Sequence, residues 1–189
     1  THMDDNNLTI GFMPYLGAEE IYKRYDPLAK YLSKKLGAGV EIVVTKNHAE
    51  HIKAVGNDEF DISFLGGMSY VVVTKRYGKK PIVGRFEFDG KPILHSVIIV
   101  NKDSNMTNIH DLKGKKVAFG DKDSTLSSQV PLYMLKKAGL ALEDLSEYSH
   151  IKNHGNVALG VALEQFDAGA VTEEVFKEYQ DKNIKALVY

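Results

Sequence analysis

The chain has 189 residues, 43% hydrophobic and 26% charged, with a formal net charge of −1 and no cysteine. These proportions describe an ordinary globular protein with enough length for one large domain or two small ones. They exclude a nucleic-acid footprint, disulfides, thiolate catalysis and cysteine-based zinc sites. The pairs Lys34-Lys35, Lys79-Lys80 and Lys115-Lys116 are scattered, and no apolar run reaches membrane-spanning length. Thr1-His2-Met3 reads as an expression remnant, so a signal peptide or membrane anchor is expected to have been removed ahead of it.

In chain order, Leu8 to Met13 reads as a strand closed by Pro14, and the spacing of Ile21, Tyr25, Leu28, Leu32 and Leu36 predicts a helix that Gly37 ends. Val40–Val44 is a strand, His48–Val55 a helix and Phe60–Leu65 a strand. Gly66-Gly67 then opens a helix through Tyr77. Pro81–Phe86 reads as a strand, Asp89-Gly90 as a tight turn, and Leu94–Val100 as the strongest β segment of the chain. After Asn101 the pattern restarts. Strands are expected at 116–119, near Tyr148, at 167–171 and at 184–188, with helices at about 127–138, 154–165 and 173–181. Such alternation predicts parallel α/β sheets covered by helices, in two lobes at roughly 1–95 and 96–189.

The most informative stretch is Gly120 to Pro131, between a strand and a helix. Ser124, Thr125, Ser127 and Ser128 place four hydroxyls in a first turn, where backbone N–H groups lack intrahelical partners and the helix dipole is positive. Such a turn suits a phosphate-like or carboxylate group, although an ordinary Ser124 or Thr125 N-cap accounts for part of the pattern.

Ligands of parallel α/β sheets bind beyond the carboxyl ends of the strands. The polar residues expected there are Tyr15, His48, Ser69 and Tyr70 in the first half, and Ser124 to Ser128, His154, Glu173 and Glu174 in the second. Each has a structural alternative. Tyr15 and Tyr70 also suit packing, and His154 also suits an exposed helix start. Of His95 and Ser96, one must face a covering helix, and Glu173 also suits a dipole-favourable first turn. His48 and His51 sit one turn apart with no third ligand evident, so no metal is expected. Nucleotide-loop, nucleophile-elbow and dinucleotide patterns are missing, and binding rather than turnover is expected, with no cofactor. An enzyme using His154 or His48 as base and Ser127 as nucleophile is the weakest alternative.

Taken in order, several stretches resemble one family. They are Leu8 to Pro14, Tyr25 to Leu32, Phe60 to Tyr70, His95 to Ser104 with Asp111 to Lys115, Ser124 to Pro131, and His154 with Ala158 to Val171. Together the chain resembles the phosphonate-binding (PhnD-like) periplasmic solute-binding proteins of ABC transporters. The resemblance implies an α/β, two-lobed type II periplasmic-binding-protein clamshell that closes on a small oxyanion such as phosphonate or phosphate. It implies that Ser124, Thr125 and the backbone at Leu126 and Ser127 hold the anion, with a hydrogen bond from His154. It also implies pocket roles for His95, Ser96, Tyr15, His48 (where members often have tyrosine), Tyr70 and Glu173, the last near an acid that meets a ligand amine. Members often read Ser-Thr-Ser-Gly where this chain has Ser124-Thr125-Leu126-Ser127. Relatives also continue past the position of Tyr189, so the C-terminal return to the first lobe is expected to be missing, or supplied by a dimer partner. The partner implied is an ABC permease in a periplasmic or membrane-anchored extracellular setting. The alternative is a membrane signalling protein, a histidine kinase or cyclase, using the same fold as its sensor.

Overall fold

A computed structural model describes residues 7–87 and 90–189. The described residues fall into two compact units divided between Lys80 and Pro81.

The first unit is built on strands β1 (Asn7–Phe12), β2 (Gly39–Val44) and β3 (Ile62–Phe64), paired in parallel in the order β2-β1-β3. Helix α1 (Ala18–Leu36) buries Ile21, Tyr25 and Ala29, one stripe of a 3.6-residue period. Gly37 stops it in the left-handed region at φ 66°, its N–H donating to the Ser33 carbonyl. Helices α2 (His48–Gly56) and α3 (Gly67–Tyr77) pack through Ile52, Val55 and Val73. Phe12 of β1 stacks on Tyr25 of α1 with ring centroids 4.2 Å apart.

The second unit holds five strands in the order β6-β5-β7-β4-β8. They are β4 (Ser96–Asn101), β5 (Lys116–Phe119), β6 (Glu147–His150), β7 (Ala168–Thr172) and β8 (Ile184–Val188). The pairings β5–β6 and β5–β7 are parallel, but β4 runs antiparallel to both β7 and β8, so this sheet is mixed rather than all-parallel as the alternation predicts. Every residue of β4 is buried, which is why it reads as a continuous apolar run. One core joins Ile98, Val100, Val117, Phe119 and Leu135 of α4 (Val130–Lys137). On α5 (His154–Ala162), Val157 and Val161 are fully buried, as is Val175 of α6 (Glu173–Tyr179).

Two expected elements differ. Pro81–Phe86 forms no strand. Ile82 and Val83 are 70% and 89% exposed, and the segment pairs with no described strand. A β-prone sequence without a hydrogen-bonding neighbour stays unpaired. Leu94 and His95 lie outside β4, which starts at Ser96. Of the expected Asp89-Gly90 turn, Asp89 lies outside the described residues, and Gly90 has φ 69°.

Candidate functional site

Because β5, β6 and β7 are mutually parallel through β5, they end on one edge of the second sheet, at Phe119, His150 and Thr172. Three helical N-termini follow, each capped by a side chain. Ser124 Oγ accepts from Ser127 N, Asn153 Oδ1 from Asn156 N, and Thr172 Oγ1 from Val175 N. Ser96, which opens β4, pairs with Thr172 and so lies at the same edge. The positive ends of these helical segments therefore gather where an anion would dock.

The segment after Ser124 is not the regular first α-turn the spacing suggests. Thr125–Gln129 is a π turn, whose first bonds run from Gln129 N to the Ser124 carbonyl and from Val130 N to the Thr125 carbonyl. Pro131 gives the physical reason. It has no N–H to offer the Ser127 carbonyl one α-turn back. That carbonyl accepts instead from Gly120 N at 2.8 Å, which pulls the end of β5 onto the turn. The amides ahead of Gln129 precede the first intrahelical bond, the position from which N–H groups grip anions.

The side chains continue the arrangement. Ser127 Oγ donates to Ser124 Oγ at 2.7 Å and lies 2.8 Å from His154 Nε2. Ser127 and His154 are 0% and 2% exposed, so this serine–histidine pair is interior and His154 is no exposed helix start. Gly120 is required by the approach, since a Cβ there would collide with Ser127 Oγ and lie 3.1 Å from His154 Nε2. Ser128 Oγ and Ser96 Oγ are buried with no hydrogen-bond partner among the described residues. Buried hydroxyls with unused capacity call for a reason, and a bound ligand supplies one. Thr125 and Leu126 are half-buried on the same turn.

His95 and Glu173 also meet. Of His95 and Ser96, Ser96 is the buried one, and His95 is exposed because it precedes β4. Its Nδ1 lies 2.7 Å from Glu173 Oε2, while Lys177 Nζ lies 2.9 Å from Glu173 Oε1. The Lys177 and His95 hydrogen bonds hold this carboxyl below its ordinary range. In the first unit, Tyr15 packs in the core with its hydroxyl 2.6 Å from that of Tyr25, and Tyr70 donates to the Lys80 carbonyl at 2.8 Å. His48 is buried at the start of α2. Near it, His51 is buried with Nε2 3.0 Å from the Phe64 carbonyl and 2.9 Å from Ser63 Oγ. Burial, opposed by the Phe64 bond and reinforced by His48, lowers the His51 pKa to about 4. No group of three metal-ligating side chains gathers among the described residues.

Sequence reasoning names the serines and His154 but misses Gly120, Ser128 as an orphan hydroxyl, and the role of Pro131. The signals were present: a glycine directly after a strand, and a proline one turn after a hydroxyl cluster.

The fold matches that of known periplasmic binding proteins. Over 98% of this chain and 65% of the other, it superposes with a TM-score of 0.88 at 21% identity on a binding-protein component of an ABC phosphonate transporter from Pseudomonas aeruginosa. PhnD1 from Prochlorococcus marinus (MIT 9301), in complex with methylphosphonate, gives 0.86 at 23% identity over 97% and 72% of the two chains. Residues 10–187 match the family described as "ABC transporter, phosphonate, periplasmic substrate-binding protein", and the chain belongs to that family. It is a family of solute-binding proteins, not of enzymes. Among curated relatives, the chain is 28% identical over 172 residues to the "Phosphonates-binding periplasmic protein" of Escherichia coli (strain K12), covering 88% of this chain and 51% of the relative. It is 25% identical over 186 residues to the "Probable ABC transporter phosphite binding protein PhnD1" of Prochlorococcus marinus (strain MIT 9301), covering 94% and 62%. The "Phosphate-import protein PhnD" of Mycolicibacterium smegmatis (strain ATCC 700084 / mc(2)155) is 29% identical over 172 residues, covering 86% and 54%. The chain thus spans between one half and two thirds of the length of these curated relatives.

Proposed function

We propose that the chain is the ligand-binding part of an extracytoplasmic receptor for a small tetrahedral oxyanion, a phosphonate, phosphite or phosphate, which it delivers to an ABC permease. The observation that carries the proposal is the π turn at Thr125–Gln129, with its leading amides, the buried hydroxyls of Ser124, Ser127 and Ser128, and His154. The relatives' printed ligands, phosphonate, phosphite and phosphate, support the tetrahedral anion. Within the second unit, Ser96, His95 and Glu173 complete the proposed set. Tyr15, His48 and Tyr70 of the first unit belong to it through the family resemblance alone.

Hydrogen bonds to a charged group contribute about 1.5–3 kcal/mol each, so three or four of them reach micromolar affinity after ordering costs. A thermal-shift screen with phosphate, phosphite, methylphosphonate, aminoethylphosphonate, sulfate and acetate tests the function. At 100 times Kd, a true ligand stabilises by about 2.7 kcal/mol and raises the midpoint, whereas a panel with no shift at millimolar anion contradicts the proposal.

A further inference from the structure

The pattern Asn-x-Thr, with no proline between, occurs twice in the sequence, at Asn7-Leu8-Thr9 and at Asn105-Met106-Thr107. It is the acceptor pattern for N-linked glycosylation, a modification of surface loops in exported proteins. An aspartate stands two residues ahead of each asparagine, Asp5 and Asp103, so local sequence does not separate the two. The fold does.

Asn7 opens β1, the middle strand of its sheet, and Asn7, Leu8 and Thr9 pair in register with Gly39, Val40 and Glu41. Thr9 is held further by Asp61, whose Oδ2 accepts from the Thr9 amide at 2.8 Å and from its hydroxyl at 2.9 Å. An enzyme that reaches both the asparagine amide and the threonine hydroxyl must take the segment into its own cleft. At Asn7 that means unzipping a central strand.

Asn105 stands differently. It is exposed in the irregular segment between β4 and the short 3-10 helix at Ile109–Leu112, and it makes no hydrogen bond among the described residues. The segment is tied down on either side of it. Ser104 N donates to the Asn101 carbonyl at 3.0 Å, and the Ser104 carbonyl accepts from Lys185 Nζ at 2.7 Å. Thr107, also exposed, is held by Asp111, which accepts from its amide at 2.7 Å and from its hydroxyl at 3.2 Å. Releasing Thr107 breaks surface hydrogen bonds but no strand pairing. A groove of about 580 Å³, lined in part by Ser104, Asn105, Asp111 and Glu164, opens beside the asparagine and offers a sugar room and polar partners. The segment also lies away from the anion turn. Ser96 is at the turn's edge of the sheet and Asn101 at the other end of β4, about 17 Å along the strand.

We propose that Asn105 is an acceptor for N-linked glycosylation of the folded protein. The donor is an oligosaccharide carried on a polyprenyl diphosphate. The Asn105 amide nitrogen bonds to C1 of the first sugar as the C1–O bond to the diphosphate breaks. The polyprenyl diphosphate leaves with the electron pair, and the nitrogen gives up one proton to the transferase. The inference rests on the proposed function only for the extracytoplasmic setting in which such donors meet the protein.

The purified folded chain and a synthetic peptide of residues 101–109 are each incubated with an oligosaccharyltransferase that accepts Asp-x-Asn-x-Thr and with its polyprenyl-diphosphate-linked oligosaccharide. Intact-mass and peptide mass spectrometry locate the sugar. The folded chain is expected to gain one glycan at Asn105 and none at Asn7, and Asn105→Gln to gain none. A modified peptide beside an unmodified folded chain would overturn the proposal by showing that the loop is closed to the enzyme. Failure of both peptide and chain would overturn it at the level of sequence. Addition at Asn7 as readily as at Asn105 contradicts it too, since the fold would then not choose. Calorimetric titration of the glycosylated chain with methylphosphonate should return the unmodified Kd within about twofold, as for sites that do not couple. A lost affinity would refute the placement away from the anion turn. A wild type that binds no anion sinks the proposed function, while the mass at Asn105 still decides the glycan site.

Discussion

Thr125 stands at the first position of the π turn, beside the Ser124 cap, and its amide precedes the first intrahelical bond. Thr125→Val keeps the shape and removes the hydroxyl. Calorimetry should show anion binding weakened by about 1.5–3 kcal/mol, with the unliganded thermal midpoint moved by no more than a few degrees. Gly120 is a harsher position, since any side chain there strikes Ser127 Oγ and crowds His154 Nε2. Gly120→Ala should cost about 1–3 kcal/mol of stability in urea unfolding and reduce anion affinity together with it. A stable variant with unchanged affinity would mean that the turn tolerates separation from β5. The residue types of this cluster were legible in the sequence, because hydroxyls at a strand-to-helix junction carry their own chemistry. The bond from Ser127 to His154, 27 positions apart, was not legible, because it depends on the parallel register that brings the ends of β5 and β6 side by side.

The π turn owes its form to Pro131, which leaves the Ser127 carbonyl to Gly120 N. Pro131→Ala restores an N–H that competes for that carbonyl. The Gly120 amide should then exchange with solvent faster by NMR, and anion affinity should fall, while α4 itself gains helix propensity. An unchanged exchange rate would show that the π turn is held by other contacts. Strands and helices buried against a partner were read correctly from periodicity, as with α1 and its stripe of Ile21, Tyr25 and Ala29. Pro81–Phe86 was read as a strand and is not one, because local β preference cannot supply the neighbouring edge. The direction of β4 was likewise beyond local pattern. A fully buried strand has the same apolar run whether its neighbours are parallel or antiparallel.

At the scale of the whole molecule, the first unit carries a built-in sensitivity to acid at His51. His51, in the first unit, is neutral when folded, with a pKa of about 4 against an ordinary 6.5. As pH falls below 6.5 the unfolded chain binds a proton that the folded one refuses, and stability declines until the folded form also protonates near pH 4. The loss is at most about 1.4 kcal/mol per pH unit in that window. Urea midpoints between pH 7 and 4.5 should fall for the wild type and flatten for His51→Gln, and parallel curves for the two would contradict this origin. The proposed anion-binding turn lies in the second unit, so its location can be read directly whatever the affinity. In a 1H–15N NMR titration with methylphosphonate, the amides of Thr125, Leu126, Ser127 and Ser128 should shift together and saturably. Saturable shifts confined to other regions, such as the groove between α1 and β2 lined by Asn7, Tyr22, Lys23 and Glu41, with residues 124–128 unmoved, would contradict the assignment of the anion to the π turn.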